Sequence, residues 1–217
     1  MRLDPAGAPF IIGALVFALV SGALAGWILA IPFLVLGAIF VFFFRDPDRI
    51  PPPDEHVVLA PADGRVLVAG PALAESTPPG DWQQISIFLS PMDVHVNRIP
   101  ASGRVTRVTF TAGTFLPAMR REAGHTNERC EIWIDHQGET IVARQVVGIL
   151  ARRVVCRVGP GTDVRAGERF GVMKFGSRMD VFVPATSSLR VTVGDRVRAG
   201  ETIIAVLHLL SAVGRDP

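Results

Sequence analysis

The chain contains no tyrosine, and Lys174 is its only lysine among basic residues that are otherwise arginines. Without tyrosine, acid–base chemistry depends on the five histidines and the carboxylates. The two cysteines, Cys130 and Cys156, lie far apart and outside any CxxC spacing, so we predict free, reduced thiols and no disulfide or metal site. A net charge of only +2 gives no support for a nucleic-acid partner.

Charge is also absent from one long segment, Phe10 to Phe44, which is almost entirely apolar. A single membrane span needs about 20 apolar residues, so the segment is too long for one simple span. We predict a helical hairpin, Pro9–Ala25 out and Ile31–Phe44 back, or one span followed by a re-entrant piece. A cleaved signal peptide fits poorly, because its apolar region is only about 7–15 residues long. A buried core hairpin is the alternative to an anchor.

The flanks of this segment indicate its orientation and its end. Arg2 lies on one side, and Arg45 and Arg49 lie on the other, which favours a hairpin with both ends in the cytoplasm. The prolines Pro51–Pro53 cannot continue a helix and favour an extended spacer. We therefore predict a membrane anchor over residues 1–50 and a second domain over residues 51–217.

The remainder of the chain has the pattern of a mainly β domain. Short runs such as GRVLVAG, WQQISIFLS and RMDVFVP, rich in β-branched residues, are separated by Gly and Pro, which indicates a β-sandwich or barrel. Only the stretch Phe115–Arg121 suggests a helix. Two phrases recur: PADGRV at 61–66 returns as PASGRV at 100–105, and a V-R-A-G-E segment occurs twice. These internal repeats resemble the barrel-sandwich hybrid of biotinyl and lipoyl carrier domains.

Three motifs carry residues suited to chemistry: PADG with Asp63, MDVHVNR with Asp93, His95 and Arg98, and KFGSR with Gly176 and Ser177. Each has a structural explanation alone, as a turn, a strand residue and a hairpin respectively. Together, a serine, a histidine and an aspartate are the groups needed to activate a hydroxyl. The serine that follows Gly176 has its own preceding carbonyl as a second possible target.

The motifs FLSPMDVHVNRIPASG, PADG and KFGSRMDVFVP, together with Asn127–Glu128–Arg129, resemble the phosphatidylserine decarboxylases, in particular their short form. The resemblance runs from about Arg45 to about Leu207. It implies that Ser177, His95 and Asp63 are catalytic and that Gly176–Ser177 is a self-cleavage site.

Two positions depart from the pattern of many members. The cleavage segment has F-G-S-R where they have L-G-S-T, and Arg98 stands where longer members carry a second histidine. His95 would then serve both self-cleavage and decarboxylation.

The resemblance implies two reactions. In the first, His95 aided by Asp63 deprotonates Ser177, which attacks the Gly176 carbonyl. The chain separates into residues 1–176 and 177–217, and Ser177 becomes a pyruvoyl group. In the second, this covalent pyruvate forms a Schiff base with phosphatidylserine and releases CO₂ to give phosphatidylethanolamine, so that no added cofactor is required.

The implied partners are phosphatidylserine in the membrane and the other cleavage product, as a heterodimer; a higher oligomer stays open. The implied location is the cell membrane, with the catalytic domain facing the cytoplasm. Four arginines, Arg45, Arg49, Arg120 and Arg121, are candidates for contacts with lipid phosphate. His125 is a candidate pocket residue, while His136 and His208 are expected at the surface or in packing.

Two other functions fit parts of the sequence. Val172–Met173–Lys174 resembles the hairpin that accepts biotin in carrier domains, but this leaves Asp63 and His95 unexplained. A membrane-anchored structural protein with a degenerate site would also remain as one uncut chain.

Overall fold

The computed structural model describes residues 2–72, 77–149, 154–174 and 176–208. Three α-helices lie in these residues. They are α1 (Ala8–Ala25), α2 (Trp27–Phe43) and α3 (Ala123–Thr126), and a 3₁₀ turn over Pro5–Gly7 precedes α1.

The two long helices pack against each other in antiparallel directions. Gly26, with a φ of +93°, separates them, in a backbone conformation that favours glycine. The rings of Phe17 and Phe33 stack 5.7 Å apart, and Gly37 lies against Ala14 further along. Small residues allow this close approach, while larger apolar side chains on the outside of the pair stay exposed.

By length and composition, one helical stretch among the described residues can cross a membrane: Pro5–Ala25, with a mean hydropathy of 2.2. The second apolar helix, Trp27–Phe43, is shorter. The chain thus has an N-terminal apolar helix suited to a bilayer.

The rest of the described chain is mainly β, as predicted. An eight-stranded antiparallel sheet has the strand order β11-β7-β8-β9-β13-β5-β4-β15. Two three-stranded sheets, β10-β12-β6 and β14-β16-β3, and the small pair β1-β2 accompany it. The strands are β1 (Arg2–Leu3), β2 (Arg45–Asp46), β3 (Val57–Leu59), β4 (Gly64–Pro71), β5 (Trp82–Leu89), β6 (Val96–Arg98), β7 (Gly103–Thr111), β8 (Arg129–His136), β9 (Glu139–Val146), β10 (Val154–Cys156), β11 (Asp163–Val164), β12 (Arg169–Met173), β13 (Ser177–Pro184), β14 (Ser188–Leu189), β15 (Arg196–Val197) and β16 (Ile203–Val206).

The strand β13 lies inside the large sheet, between β5 and β9. Its register pairs Ser177 with Leu89 and Asp180 with Ser86 of β5. Alternate residues of both strands, such as Ile87 and Met179, are fully buried in the apolar core that the three larger sheets share. The other face of β13 is covered as well, because Arg178 donates to the Arg120 carbonyl at 3.3 Å. The position of Ser177 is therefore set by a strand buried on both faces.

The recurring phrases PADGRV and PASGRV begin β4 and β7 in matched surroundings. Val66 donates its N–H to the Asp195 carbonyl at 2.9 Å, and Val105 donates to the Thr162 carbonyl at 2.8 Å. Each strand then has a register shift against its neighbour, at Val66–Val68 in β4 and at Val105–Arg107 in β7. Each of these two similar phrases thus leads into a strand of the large sheet that has such a shift.

The prediction of a helix over Phe115–Arg121 is wrong. This segment has no helical hydrogen-bond pattern, and the short α3 begins only at Ala123. Pro117 supplies a physical reason, since proline interrupts the hydrogen-bonding of a helix interior.

Candidate active site

The Gly176–Ser177 peptide bond lies at the entrance to β13. Gly176 has a φ of +72°, in the left-handed region that a glycine adopts without steric cost. Ser177 is completely buried, and its hydroxyl has no hydrogen-bond partner among the described residues. A buried hydroxyl without a partner costs free energy, so such groups in proteins call for a functional explanation.

The carbonyl of Gly176 lies directly against Gly148, the second residue beyond the end of β9. A β-carbon placed on Gly148 would lie 2.1 Å from the Gly176 oxygen. Only glycine at position 148 leaves room for this carbonyl. No motif marks Gly148 in the sequence, because its role depends on a contact between the residues after β9 and the residue before β13.

His95 lies in the loop between β5 and β6 and is fully buried. Its Nδ1 lies 3.0 Å from the carbonyl oxygen of Asp93, and its Nε2 has no hydrogen-bond partner in the described part of the chain. Because a carbonyl oxygen only accepts, Nδ1 carries the proton and Nε2 keeps its lone pair. Burial lowers the pKa of His95 from 6.5 to about 4, so the imidazole is neutral at physiological pH.

The side chain of Asp93 shapes this loop. Its carboxylate accepts hydrogen bonds from the Ser90 N–H at 2.8 Å and the Ser90 hydroxyl at 2.7 Å. Asp93 therefore binds His95 through its main-chain carbonyl, while its carboxylate closes the turn that carries both residues and opposes the fall in the pKa of His95.

Asp63 was expected to aid His95, but its carboxylate is bonded to other residues. Its Oδ1 accepts from the Ala199 N–H at 2.7 Å, and its Oδ2 accepts from Arg49 Nη2 at 2.8 Å. Burial raises the pKa of Asp63, and these two donors oppose the rise. No hydrogen bond joins Asp63 to His95 in the described part of the chain.

The topology brings Ser177 and the His95 loop to the same end of the sheet. Ser177 pairs with Leu89, the last residue of β5, and the loop that carries His95 begins at the next residue. On the other side, the carbonyl of His95 accepts from the Met173 N–H at 3.2 Å, at the end of β12. No hydrogen bond links the two side chains.

Arg98, at the position of the second histidine in longer relatives, has a structural role. It is buried and donates to Asp46 at 3.1 Å, to the Pro47 carbonyl at 2.7 Å and to the Gly167 carbonyl at 2.9 Å. Its guanidinium therefore ties the segment after α2 to the β-domain.

A cavity of about 420 Å³ opens beside Gly176. Its walls are largely apolar, formed by Phe88, Pro91, Pro117, Ala118, Met119 and Ile149. A second cavity of about 440 Å³ shares Phe88 and Met119 with the first and adds charged and polar residues, which are Arg65, Ser90, Asp93 and Arg196. An apolar cavity next to a charged one suits an amphipathic ligand.

Asn127 organises the wall of the first cavity. It is fully buried; its Nδ2 donates to the carbonyls of Leu116 at 2.8 Å and Val147 at 2.9 Å, and its Oδ1 accepts from the Leu116 N–H at 2.9 Å. It therefore joins the Leu116–Ala118 wall to the residue that precedes Gly148. The N-E-R segment marked this position in the sequence, but not its contacts.

The remaining candidate residues take other places. Arg49 has a side chain only 7% exposed and is committed to Asp63 and Glu201, so it does not face lipid. Lys174 lies 5.0 Å from the ring centre of Phe10 in α1. His136 is buried, with Nδ1 2.6 Å from the Ser102 carbonyl oxygen.

Cys130 is a buried free thiol, and Cys156 is a half-buried one. His208 is bonded to the Ser188 hydroxyl at 2.7 Å. Among the residues that the structure describes, no group of three or more His, Cys, Asp or Glu side chains could hold a metal ion.

Comparisons with known proteins match this chain over most of its length. The family described as phosphatidylserine decarboxylase matches residues 36–205. A phosphatidylserine decarboxylase proenzyme of Desulfotalea psychrophila is 40% identical over 199 residues, which cover 91% of this chain and 93% of the relative. A proenzyme of the same name from Chlorobium limicola is 42% identical over 212 residues, covering 94% of this chain and 99% of the relative.

Proposed function

The chain belongs to the phosphatidylserine decarboxylase family, and from this premise we propose that it cuts itself between Gly176 and Ser177 and turns Ser177 into a pyruvoyl group. It is a decarboxylase made as a proenzyme. The substrate is phosphatidylserine, and the products are phosphatidylethanolamine and CO₂.

One observation carries the proposed cleavage site: the buried, unpartnered hydroxyl of Ser177 directly follows a glycine at φ +72°. Glycine on the acyl side leaves the carbonyl carbon uncrowded and permits the backbone conformation that an attack from the following residue requires. The residues present therefore fit a pyruvoyl group made from Ser177 itself.

Self-cleavage needs one water and no external reagent. The Ser177 oxygen attacks the Gly176 carbonyl carbon, and the acyl group moves from nitrogen to oxygen to form an ester. Loss of the α-proton of Ser177 then breaks the bond between its β-carbon and the ester oxygen. Gly176 leaves as a carboxylate, and the unsaturated residue takes up water and releases ammonia, which leaves the pyruvoyl group.

His95 is the proposed base for the Ser177 hydroxyl. Its Nε2 has a lone pair and no hydrogen-bond partner among the residues that the structure describes, and its pKa of about 4 keeps it in the base form at neutral pH. Asp63 is the proposed carboxylate of the site, held by Arg49 and the Ala199 N–H. The carboxylate of Asp93, which faces His95, supports the cation that forms on His95 during proton transfer.

In decarboxylation, the pyruvoyl ketone supplies a carbon that condenses with the substrate amine and an electron sink for the bond that loses CO₂. The chain's own residues bind and orient the lipid. The apolar cavity beside Gly176 receives the part of the lipid nearest the acyl chains, and Arg65 and Arg196 in the neighbouring cavity attract its phosphate. His95 is the proposed acid that returns a proton to the product.

The two cleavage products are expected to stay together as a heterodimer. The small chain, Ser177–Pro217, begins with β13, which is hydrogen-bonded on both sides by strands of the large chain. Breaking the bond that precedes β13 removes none of these strand hydrogen bonds.

We further propose that residues 1–50 anchor the enzyme in the cell membrane as a hairpin with both ends in the cytoplasm, and that residues 51–217 form the catalytic domain. Arg2 and Arg45 lie at the two ends of the helical pair, as the orientation requires. Tethering places the active site where the lipid is concentrated. The matched strands β4 and β7 support a duplicated, barrel-sandwich-hybrid-like unit in this domain.

The experiment is intact mass spectrometry of the purified chain and of two variants. The wild type should give two chains, the smaller lighter by one ammonia than a chain that starts with serine. Ser177→Ala should remain whole, and so should His95→Ala. Small chain from Ser177→Ala would overturn the cleavage site, and a whole wild-type chain that carries biotin on Lys174 would favour a carrier protein.

A further inference from the structure

Two residues that precede the β-domain contact the proposed catalytic side chains. Phe43, the last residue of α2, places its ring 4.0 Å from the imidazole of His95, centre to centre, at an angle of 31°. Arg49 binds the carboxylate of Asp63, and both side chains of this pair are largely buried. Neither contact can be seen in the sequence, because Phe43 and His95 are far apart in the chain.

The segment between Phe43 and Arg49 is held against the β-domain at several points. Arg45 donates to the carbonyl of Met92 at 2.6 Å, in the same loop as His95. Asp46 forms ion pairs with Arg98 and Arg169, two residues on adjacent strands. These bonds hold the residues after α2 against the β-domain and so set the position from which Arg49 contacts Asp63.

Both contacts act on the charge state of the site. Arg49 stabilises the ionised form of Asp63 against the effect of burial. Three other charges face Asp63: Arg45, Arg98 and Asp93. Among the charged groups of the described residues, Arg49 is the one hydrogen-bonded to this carboxylate, and together with the Ala199 N–H at 2.7 Å it sets how the carboxylate is oriented.

At His95, the ring of Phe43 covers the imidazole and excludes water, which favours its neutral form. The charged groups that face His95 are Asp93 and Arg45.

We infer that Phe43 and Arg49 are positioning residues of the active site, so that the end of the anchor and its linker complete a site whose reacting groups lie in the β-domain. This inference rests on the proposed roles of His95 and Asp63. The site is then assembled only when α2 is seated on the β-domain, and self-cleavage follows insertion of the anchor rather than folding of the β-domain alone.

The test follows cutting in the full-length chain. The protein is made and pulse-labelled in a cell-free system with phosphatidylcholine vesicles, which contain no substrate, and is then shifted to buffers between pH 5 and 8.5. Arg49→Ala should slow formation of the small chain at least about tenfold at pH 7. Its rate should also fall off at a higher pH than that of the wild type, because Asp63 without Arg49 accepts a proton more readily. Arg49→Lys should restore part of the rate and of the pH profile.

Arg169→Ala is the matched control, since Arg169 holds the same linker through Asp46 and Asp48 but is bonded to neither proposed catalytic side chain. The rate of cutting by Arg169→Ala should depend on pH in the same way as that of the wild type. Phe43→Ala should shift the profile to higher pH as water reaches His95. Phe33→Ala, at a half-buried ring earlier in the same helix that stacks on Phe17, should leave the profile unchanged. If Phe43→Ala does not fold, Phe43→Leu, a milder change that also removes the ring, should show the same direction of shift.

The outcomes separate the two proposals. If the wild type is never cut, the proposed function fails. If the wild type is cut and Arg49→Ala and Phe43→Ala both keep its rate and pH profile, the positioning role is wrong and the proposed function stands. Equal loss of rate in Arg49→Ala and Arg169→Ala, without a change in the profile, would also overturn the inference, because it shows only that the linker must be held.

Discussion

The oxygen of the Gly176 carbonyl lies where a β-carbon of residue 148 would be, so Gly148 and Gly176 form a contact that no other residue at position 148 permits. The proposed attack by Ser177 requires this carbonyl in one orientation. Gly148 thus links the end of the strand β9 to the peptide bond proposed to break.

We predict that Gly148→Ala cuts itself at least about a hundredfold more slowly, because the added methyl group displaces the carbonyl from the serine oxygen by about 1 Å or more. The measurement is the rate of small-chain formation after a pulse of synthesis. Gly159→Ala is the control, since a β-carbon there meets no atom within 4 Å. Wild-type cutting by Gly148→Ala would show that the position of this carbonyl does not limit the reaction.

The residues of the proposed site stand in short motifs that the sequence shows, whereas the contacts around them could not be predicted from it. Ser177 and His95 are found in phrases whose residue types already indicate their chemistry, and alternating apolar residues identified the mainly β domain. The contact of Gly148 with Gly176 depends on the register between β9 and β13, which no local pattern encodes. The Arg49–Asp63 pair joins a linker to a turn, and each residue is unremarkable in its own segment.

Asn127→Asp should destabilise the fold by about 3–5 kcal/mol. The substitution keeps the shape but removes both donors to the Leu116 and Val147 carbonyls and places a charge in a buried site. In the uncut Ser177→Ala background, the melting temperature in detergent should fall by roughly 10 °C. Gln83→Glu, the same change at a half-buried amide, should shift it by no more than a few degrees. An unchanged melting temperature for Asn127→Asp would contradict the role of Asn127 as a buried support.

Arg98→His tests whether a histidine at this position can add to the chemistry here. Imidazole is too short to replace the three bonds of Arg98, and Asp46 would lose one of its two cationic partners. We expect a loss of stability of about 3–5 kcal/mol and no gain in cutting or decarboxylation. Arg190→His, at an exposed position, is the control. A faster reaction in Arg98→His would place residue 98 within reach of the substrate.

The last prediction concerns the effect of pH on stability through His95. In the unfolded chain His95 binds a proton below about pH 6.5, whereas in the folded chain burial delays protonation until about pH 4. Between these values the unfolded state binds more protons, so the contribution of His95 is complete above pH 6.5 and is lost as the pH falls toward 4. The loss amounts to about 3 kcal/mol. It is measured as the difference in unfolding free energy between Ser177→Ala and Ser177→Ala with His95→Gln, across pH 4 to 8. Other titrating groups contribute equally to both proteins and cancel in this difference. A difference that stays constant from pH 8 to 4 would mean that His95 is hydrated in the folded chain, and water around Nε2 would remove the reason to regard it as a base held ready for Ser177.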